Sequence, residues 1–272
     1  MSSPASPFDK LRILLIQARN TADMERQEQR CFAEQTGLRP EQFIRVNVVR
    51  EPLRRDMIDE VDAVMIGGAG EYSALDDPAW MPALLDVVAA CRDRAIPTFG
   101  SCWGHQVIAR ACGGTVVHDP TKAELGCGTV EVTEEAADDP LFASFPSEFN
   151  ANMGHHDRVR DLPPGAVELA RNGQPNQAFR LKGLPVYGTQ FHSELDAQSE
   201  RERLVAYRDY YREDMPDDDE FQAVLDALQE TKEVDQLLRD FLRVYVVERS
   251  ERVPSTGGPQ PADDPAGAAE NP

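Results

Sequence analysis

The stretch that most constrains the fold is Ile96-Pro-Thr-Phe-Gly-Ser-Cys-Trp-Gly-His-Gln-Val-Ile-Ala-Arg-Ala-Cys-Gly-Gly114. An apolar run empties into Gly100-Ser101-Cys102-Trp103-Gly104, and a helical pattern follows at once. This is the Gly-x-nucleophile-x-Gly arrangement of a strand-to-helix elbow, with cysteine in the nucleophile's place. The flanking glycines let the chain pack closely around a strained residue whose side chain projects from the sheet edge. A helix N-terminus behind the sulfur favours the thiolate, which is the reactive form. Cys102 is therefore the nucleophile candidate, while Cys31, Cys91, Cys112 and Cys127 read as buried structural thiols.

An elbow of this kind belongs to a sheet with helices on both faces, and the flanking sequence supplies one. Leu11–Ile16, Arg45–Val49, Asp62–Ile66 and Ile96–Gly100 have the length and β-branched content of buried strands. Asp23–Gln35, closed by Gly37, and Pro78–Arg94 read as the helices between them. Alternation of this sort gives a mostly parallel central sheet in a three-layer α/β/α fold. Between Thr115 and Gln190 the runs shorten and turn residues multiply, which predicts added antiparallel strands at Thr115–Val117, Gly128–Thr133, Val167–Ala170 and Ala178–Leu181. From Ala197 to about Val247 the pattern is helical, interrupted by Asp217–Glu220, which reads as a solvated acidic loop. One domain over 11–252 follows, with a flexible segment at 1–10 and a disordered tail at 253–272, rich in Pro, Gly and Ala.

Composition narrows the partners. The 272 residues carry 28 basic and 48 acidic side chains, a net charge of -20. Binding of nucleic acid or an anionic membrane surface needs clustered Lys and Arg, so neither is expected. No apolar run reaches membrane-spanning length and the first residues lack a signal-peptide pattern, so a cytoplasmic location is expected. Five cysteines without a C-x-x-C pair suggest neither a disulfide framework nor a structural zinc.

A cysteine nucleophile needs a base and a group to orient that base. Downstream, Val186–Phe191 leads into His192-Ser193-Glu194, and residues two apart on an extended chain face one side. His192 and Glu194 thus complete a Cys-His-Glu relay, in which the acid follows the histidine. The remaining histidines carry weaker signals. His105 falls one turn into the helix after the elbow, and His118 reads as structural or surface. The run Asn152-Met-Gly-His-His-Asp157 is ill suited to zinc, because adjacent histidines on a strand point to opposite faces. No metal and no cofactor are expected. Gly67-Gly68-Ala69-Gly70-Glu71-Tyr72-Ser73 follows a strand without an immediate helix, so it does not fit a dinucleotide loop. Its glycines suit the delivery of backbone N–H groups to an oxyanion beside Cys102.

Taken together these segments resemble the class I glutamine amidotransferases, and within them the stand-alone proteins similar to the glutaminase domain of GMP synthase. The resemblance runs over residues 11–195. Gly67-Gly68 matches the glycine loop, Gly100–Gln106 the nucleophile elbow, Gly113-Gly114 the turn closing its helix, His155-His-Asp157 the His-x-Asp pair, and Gln190-Phe-His-Ser-Glu194 the Gln-Phe-His-Pro-Glu signature. It implies Cys102 as nucleophile, His192 as base, Glu194 as its orienting acid, and the N–H groups of Gly68 and Trp103 as the oxyanion hole. It further implies Gln106, Met153 and His155 as residues of the glutamine pocket. Ser193 stands where the family has proline, and the glycine loop lacks a following proline. No synthase domain follows in the sequence, so an ammonia acceptor would be a separate protein. Two other functions stay open: an autonomous γ-glutamyl peptidase using the same acyl-enzyme, and a non-catalytic binding module.

Overall fold

The computed structural model describes residues 6–212 and 215–249. Its strands are β1 (Ile13–Gln17), β2 (Phe43–Asn47), β3 (Ala63–Ile66), β4 (Thr98–Ser101), β5 (Thr115–His118), β6 (Glu124–Val132), β7 (Glu148–His155), β8 (Asp157–Asp161), β9 (Ala166–Arg171), β10 (Ala178–Leu181) and β11 (Val186–Thr189). The helices are α1 (Ala22–Thr36), α2 (Met81–Asp93), α3 (Trp103–Ala111), α4 (Ala197–Ala206), α5 (Asp218–Asp226), α6 (Lys232–Asp235) and α7 (Leu237–Leu242).

Nine strands form one sheet in the order β2-β1-β3-β4-β11-β10-β9-β6-β7. The first five run parallel, and the pairings from β11 through β7 are antiparallel. β5 and β8 pair separately. The parallel block is buried on both faces, which is why β1 reads as an unbroken apolar run before Gln17. Alternation along it splits the core in two. Ile13 and Leu15 join Phe32 of α1 and Phe241 of α7 on one face. Leu14 and Ile16 join Leu84 of α2 and Val107 of α3 on the other. Each such fully buried side chain contributes roughly 1.5–3 kcal/mol of transfer free energy. The expected α/β/α layering is present.

Local signals set most boundaries. Thr21 caps α1 by accepting the Met24 N–H at 3.4 Å, and Gly37 ends the helix in the left-handed region at φ 68°. The acidic run Asp217–Glu220 departs from the expected loop. Asp217 caps α5, accepting from the N–H groups of Asp219 and Glu220, and the next three acids fill the first turn. Negative charge there complements the exposed N–H groups of a helix start. β7 and β8 go beyond the expected strands, because Asn, His, Asp and Arg break up their apolar pattern. β7 is an edge strand, and it is held by an eight-pair register with β6 from Glu124↔His155 to Glu131↔Glu148. At the N-terminus, Pro7–Lys10 form a short 3-10 turn, with Phe8 against the core and the Arg239 guanidinium 4.5 Å from its ring. The expected tail at 253–272 lies outside the described residues. Among the described residues no helix is long and apolar enough to cross a membrane.

Register then places the site. β3, β4 and β11 are neighbours, with Ile66 opposite Gly100 and Gly100 opposite Gly188. Their carboxyl ends therefore deliver the Gly67 loop, the Cys102 elbow and the His192 segment side by side, where open α/β sheets bind ligands.

Candidate active site

Cys102 lies between β4 and α3 with φ 50° and ψ -102°, a conformation that costs a non-glycine residue roughly 1–3 kcal/mol. Its surroundings hold it there. The Cys102 N–H donates to Thr189 O at 2.8 Å, and the Gly104 N–H donates to Gly67 O at 3.1 Å. A Cβ on Gly100 would come within 2.4 Å of the Gly104 carbonyl carbon, and one on Gly104 within 2.3 Å of Ile66 O. Both elbow glycines are thus sterically required.

His192 and Glu194 are buried beside the elbow. The His192 Nδ1 is 3.0 Å from Glu194 Oε1, and since a carboxylate can only accept, the ring proton resides on Nδ1. This leaves Nε2 for Cys102. Burial opposes charge on the ring but is outweighed by Glu194, then by Cys102 and Glu200, so the His192 pKa stands well above its usual value. Burial likewise disfavours the Glu194 carboxylate, yet His192, Arg203 and Ser101 overcome it and hold its pKa far down. Ser101 Oγ donates to Glu194 Oε2, and Arg203 Nη1 donates to Glu194 Oε1 at 3.1 Å. The Ser193 N–H donates to Ser101 Oγ at 3.2 Å, so the serine in the usual proline position is tied to the strand carrying the nucleophile.

In front of the sulfur opens a cleft of about 230 Å³ whose walls include Ser73, Gln106, His155, Asp157 and Tyr210. His155 is buried and its Nε2 is 3.1 Å from Glu124 Oε2. His118, expected to be structural or surface, is exposed at the mouth of this cleft with Nδ1 2.7 Å from Asp157 Oδ1. Asp157 also accepts from Ser73 Oγ, which fastens the glycine loop to β8. The sulfur itself is 3.7 Å from Gly154 O and 3.8 Å from Gln190 Nε2.

One expected pocket residue lies away from the cleft, and two others lie at the site with their polar groups already engaged. Met153 points into the core under the sheet, 2% exposed, while its neighbours Gly154 and His155 reach the cleft. Met153 continues the face of β7 on which Phe149 and Ala151 join the same core. Gln106 lines the cleft, but its amide nitrogen donates to Asp157 O at 2.7 Å and to Gln190 Oε1 at 3.2 Å, so it braces the wall. Gly68 lies beside His192, where an added Cβ would be 3.4 Å from ring Cε1, but its N–H donates to Glu28 Oε1 at 3.1 Å. Trp103 opens α3, and its N–H has no acceptor within the helix.

Glu28 belongs to a buried cluster that carries no sequence motif. Arg19 Nη2 donates to it at 2.6 Å, Gln17 Nε2 at 2.8 Å, and Arg19 Nη1 reaches Tyr207 Oη at 3.0 Å. Tyr207 in turn donates to Glu71 Oε2 at 3.1 Å, closing a chain from α1 through the region following α4 to the glycine loop. Burial opposes the Arg19 charge, yet Glu28 and Tyr207 raise its pKa further. The histidine on the elbow helix, His105, is fully buried against Phe179 at 4.8 Å, and burial lowers its pKa to about 3. Desolvation pushes Cys31, Cys91 and Cys112 up to about 11, as suits inert thiols. Among the described residues no cluster of three or more His, Cys, Asp or Glu could hold a metal ion.

Comparisons with known proteins give the family and the fold. The family model of glutamine amidotransferase class-I matches residues 39–208. The chain belongs to that family. It is 39% identical over 101 residues to one of the subunits of GMP synthase [glutamine-hydrolyzing] from Pyrococcus abyssi, covering 37% of this chain and 52% of the relative. It is 37% identical over 111 residues to GMP synthase [glutamine-hydrolyzing] of Thermosipho africanus, covering 40% of this chain and 21% of the relative. The chain thus spans about half of one relative and about a fifth of the other. A glutamine amidotransferase from Thermotoga maritima shares the fold with a TM-score of 0.66 at 23% identity, over 87% of this chain and 98% of that one. One from Methylobacillus flagellatus does so with a TM-score of 0.65 at 23% identity, over 88% and 94%.

Proposed function

We propose that this amidotransferase-family chain hydrolyses the side-chain amide of glutamine and releases ammonia for a separate acceptor enzyme. The observation that carries the reading is the strained Cys102 elbow facing a histidine whose far nitrogen is fixed by a buried, fully partnered Glu194. The acceptor is inferred from the Pyrococcus abyssi relative, which is one subunit of a glutamine-hydrolyzing synthase.

In this mechanism the Cys102 thiolate attacks the side-chain amide carbon of glutamine, Cδ, with the substrate lying in the 230 Å³ cleft. The oxyanion forms beside the Trp103 N–H at the start of α3, where the helix dipole also favours negative charge. Gly68 N–H joins it by exchanging Glu28 for the oxyanion. The C–N bond then breaks, and its electron pair takes a proton from His192 Nε2 to give ammonia and a γ-glutamyl thioester. Water adds next, giving its proton to His192, and the S–C bond breaks to return thiolate and glutamate. Glu194 keeps the imidazole in the productive tautomer throughout.

Purified chain is assayed for glutamate and ammonium release from glutamine, and for labelling by a glutamine-analogue electrophile. We expect turnover and a single label on Cys102, and for Cys102→Ala a loss of about 10⁴-fold or more with the melting temperature nearly unchanged. Full hydrolysis by Cys102→Ala, or labelling at another cysteine, defeats the reading. Release of bulky amines from γ-glutamyl peptides at rates matching glutamine would replace it with a γ-glutamyl peptidase.

A further inference from the structure

Adjoining the open cleft at Cys102 lies a second and much smaller cavity of about 20 Å³, room for one molecule the size of water. Cys102, His192, Glu200, Arg203, Leu204 and Tyr211 contribute to its wall. Glu200 is fully buried, and neither of its carboxylate oxygens has a hydrogen-bond partner. Arg203 is bound through Nε to Gln27 Oε1 at 2.9 Å and through Nη1 to Glu194, while its Nη2 is likewise without a partner. Buried polar groups are rarely left unpaired, because each forfeits its hydration. Here an unpaired acceptor and an unpaired donor belong to one chamber, so its occupant is a small molecule that both donates and accepts.

The chamber's position says which molecule. The cleft and the chamber share Ala69, Gly70, Cys102, Gly154, Tyr207 and Tyr211, so they adjoin and both border the nucleophile. His192 borders the chamber and is absent from the walls of the cleft. The leaving nitrogen is the one His192 protonates, so it departs on the histidine's side.

On the reading that Cys102 attacks a γ-amide, we propose that the Glu200 chamber receives the departing ammonia, then the hydrolytic water, and restricts the enzyme to unsubstituted γ-amides. Ammonia donates N–H to Glu200 and accepts from Arg203 Nη2 through its lone pair. Water offers the same pairing when it takes ammonia's place for attack on the thioester. A methyl on the nitrogen has no room, and Leu204 is the apolar wall it would strike. Glu200 and Leu204 thus select the leaving group, a role separate from the chemistry of the triad.

The test is the kcat/KM of the full chain on glutamine, γ-glutamylmethylamide and γ-glutamylethylamide, for wild type, Leu204→Ala and Leu204→Val. Wild type should lose about tenfold or more on adding the first methyl group. Leu204→Ala should raise the methylamide-to-glutamine ratio about tenfold, and Leu204→Val, the gentler change should alanine impair folding, should raise it less but in the same direction. A wild-type ratio within about threefold of unity, or one that neither variant moves, overturns the chamber and leaves γ-glutamyl hydrolysis standing. Absence of turnover on all three amides, together with no labelling of Cys102, takes down the underlying reading and the chamber with it.

Discussion

Glu194 and Glu200 stand six residues apart, in the bend between β11 and α4 and in the first turn of α4, and both are fully buried. Their surroundings are opposite. Glu194 accepts from His192, Arg203 and Ser101, and its pKa is driven down against the burial that would raise it. Glu200 has no hydrogen-bond partner, and burial dominates the weaker pull of His192 and Arg203, so its pKa is raised. Burial alone therefore does not decide whether a carboxylate is charged. Hydrogen-bond donors at contact distance do. The partnered glutamate can orient a base, while the unpartnered one is available to a small guest.

The largest test of this contrast is Glu194→Gln. It leaves Arg203 and His192 without their shared carboxylate, and kcat should fall by about 10² to 10⁴ while some turnover remains. Stability at neutral pH should drop by about 3 kcal/mol, as when one partner of a buried pair is removed. Because the folded-state pKa of Glu194 is depressed, its contribution is present above the unfolded value and is lost as pH falls. The gap between variant and wild type, read from denaturation midpoints, should therefore close toward acid pH. A gap independent of pH would break the comparison.

Next in size is the titration of His192, followed by NMR of its ring protons. Its pKa is raised, so the stability it provides is complete below the unfolded value and is lost as pH climbs through the folded one. Glu194→Gln should move this titration down strongly and Glu200→Gln only slightly, since Glu194 is the larger of the two influences. Equal shifts would mean that the two glutamates act on the ring alike.

Glu200→Gln should have a smaller effect on stability, with the opposite sign. A carboxyl whose folded pKa is raised costs stability as pH rises past its unfolded value, so the variant should match wild type near pH 4 and exceed it at pH 8, by about 1 kcal/mol or less. Smallest of all is Asp235→Asn. Burial lifts this half-buried carboxyl to about 6, while Thr231 Oγ1 donates to it at 2.9 Å. With solvent screening, the gain at neutral pH should stay below about 1 kcal/mol and vanish below pH 4.

Much of the candidate site is legible from the chain itself, where it depends on backbone shape over a few residues. Gly100 and Gly104 announce the elbow because a Cβ at either would collide with backbone. His192 and Glu194 do meet, but past the end of β11 at Thr189, where the chain is bent and the expected strand does not extend, whereas the apolar runs announce the parallel block. Met153, placed in the pocket by the resemblance, lies instead on the core face of β7 with Phe149 and Ala151. The acidic residues at 217–220 are misread because charge alone does not distinguish a loop from a capped helix start.

What the sequence determined by itself was the candidate nucleophile, its base and acid, and the α/β layering, since each is encoded in local steric and periodic constraints. Only the tertiary structure decided that Glu28, itself held by Arg19, takes up the Gly68 N–H, that Arg203 completes Glu194, and that Glu200 is left facing a small chamber. These groups come from α1, the strand ends and α4, distant in sequence and unmarked by any spacing. Their charges and hydrogen bonds take meaning when packing removes water and fixes which donor reaches which acceptor.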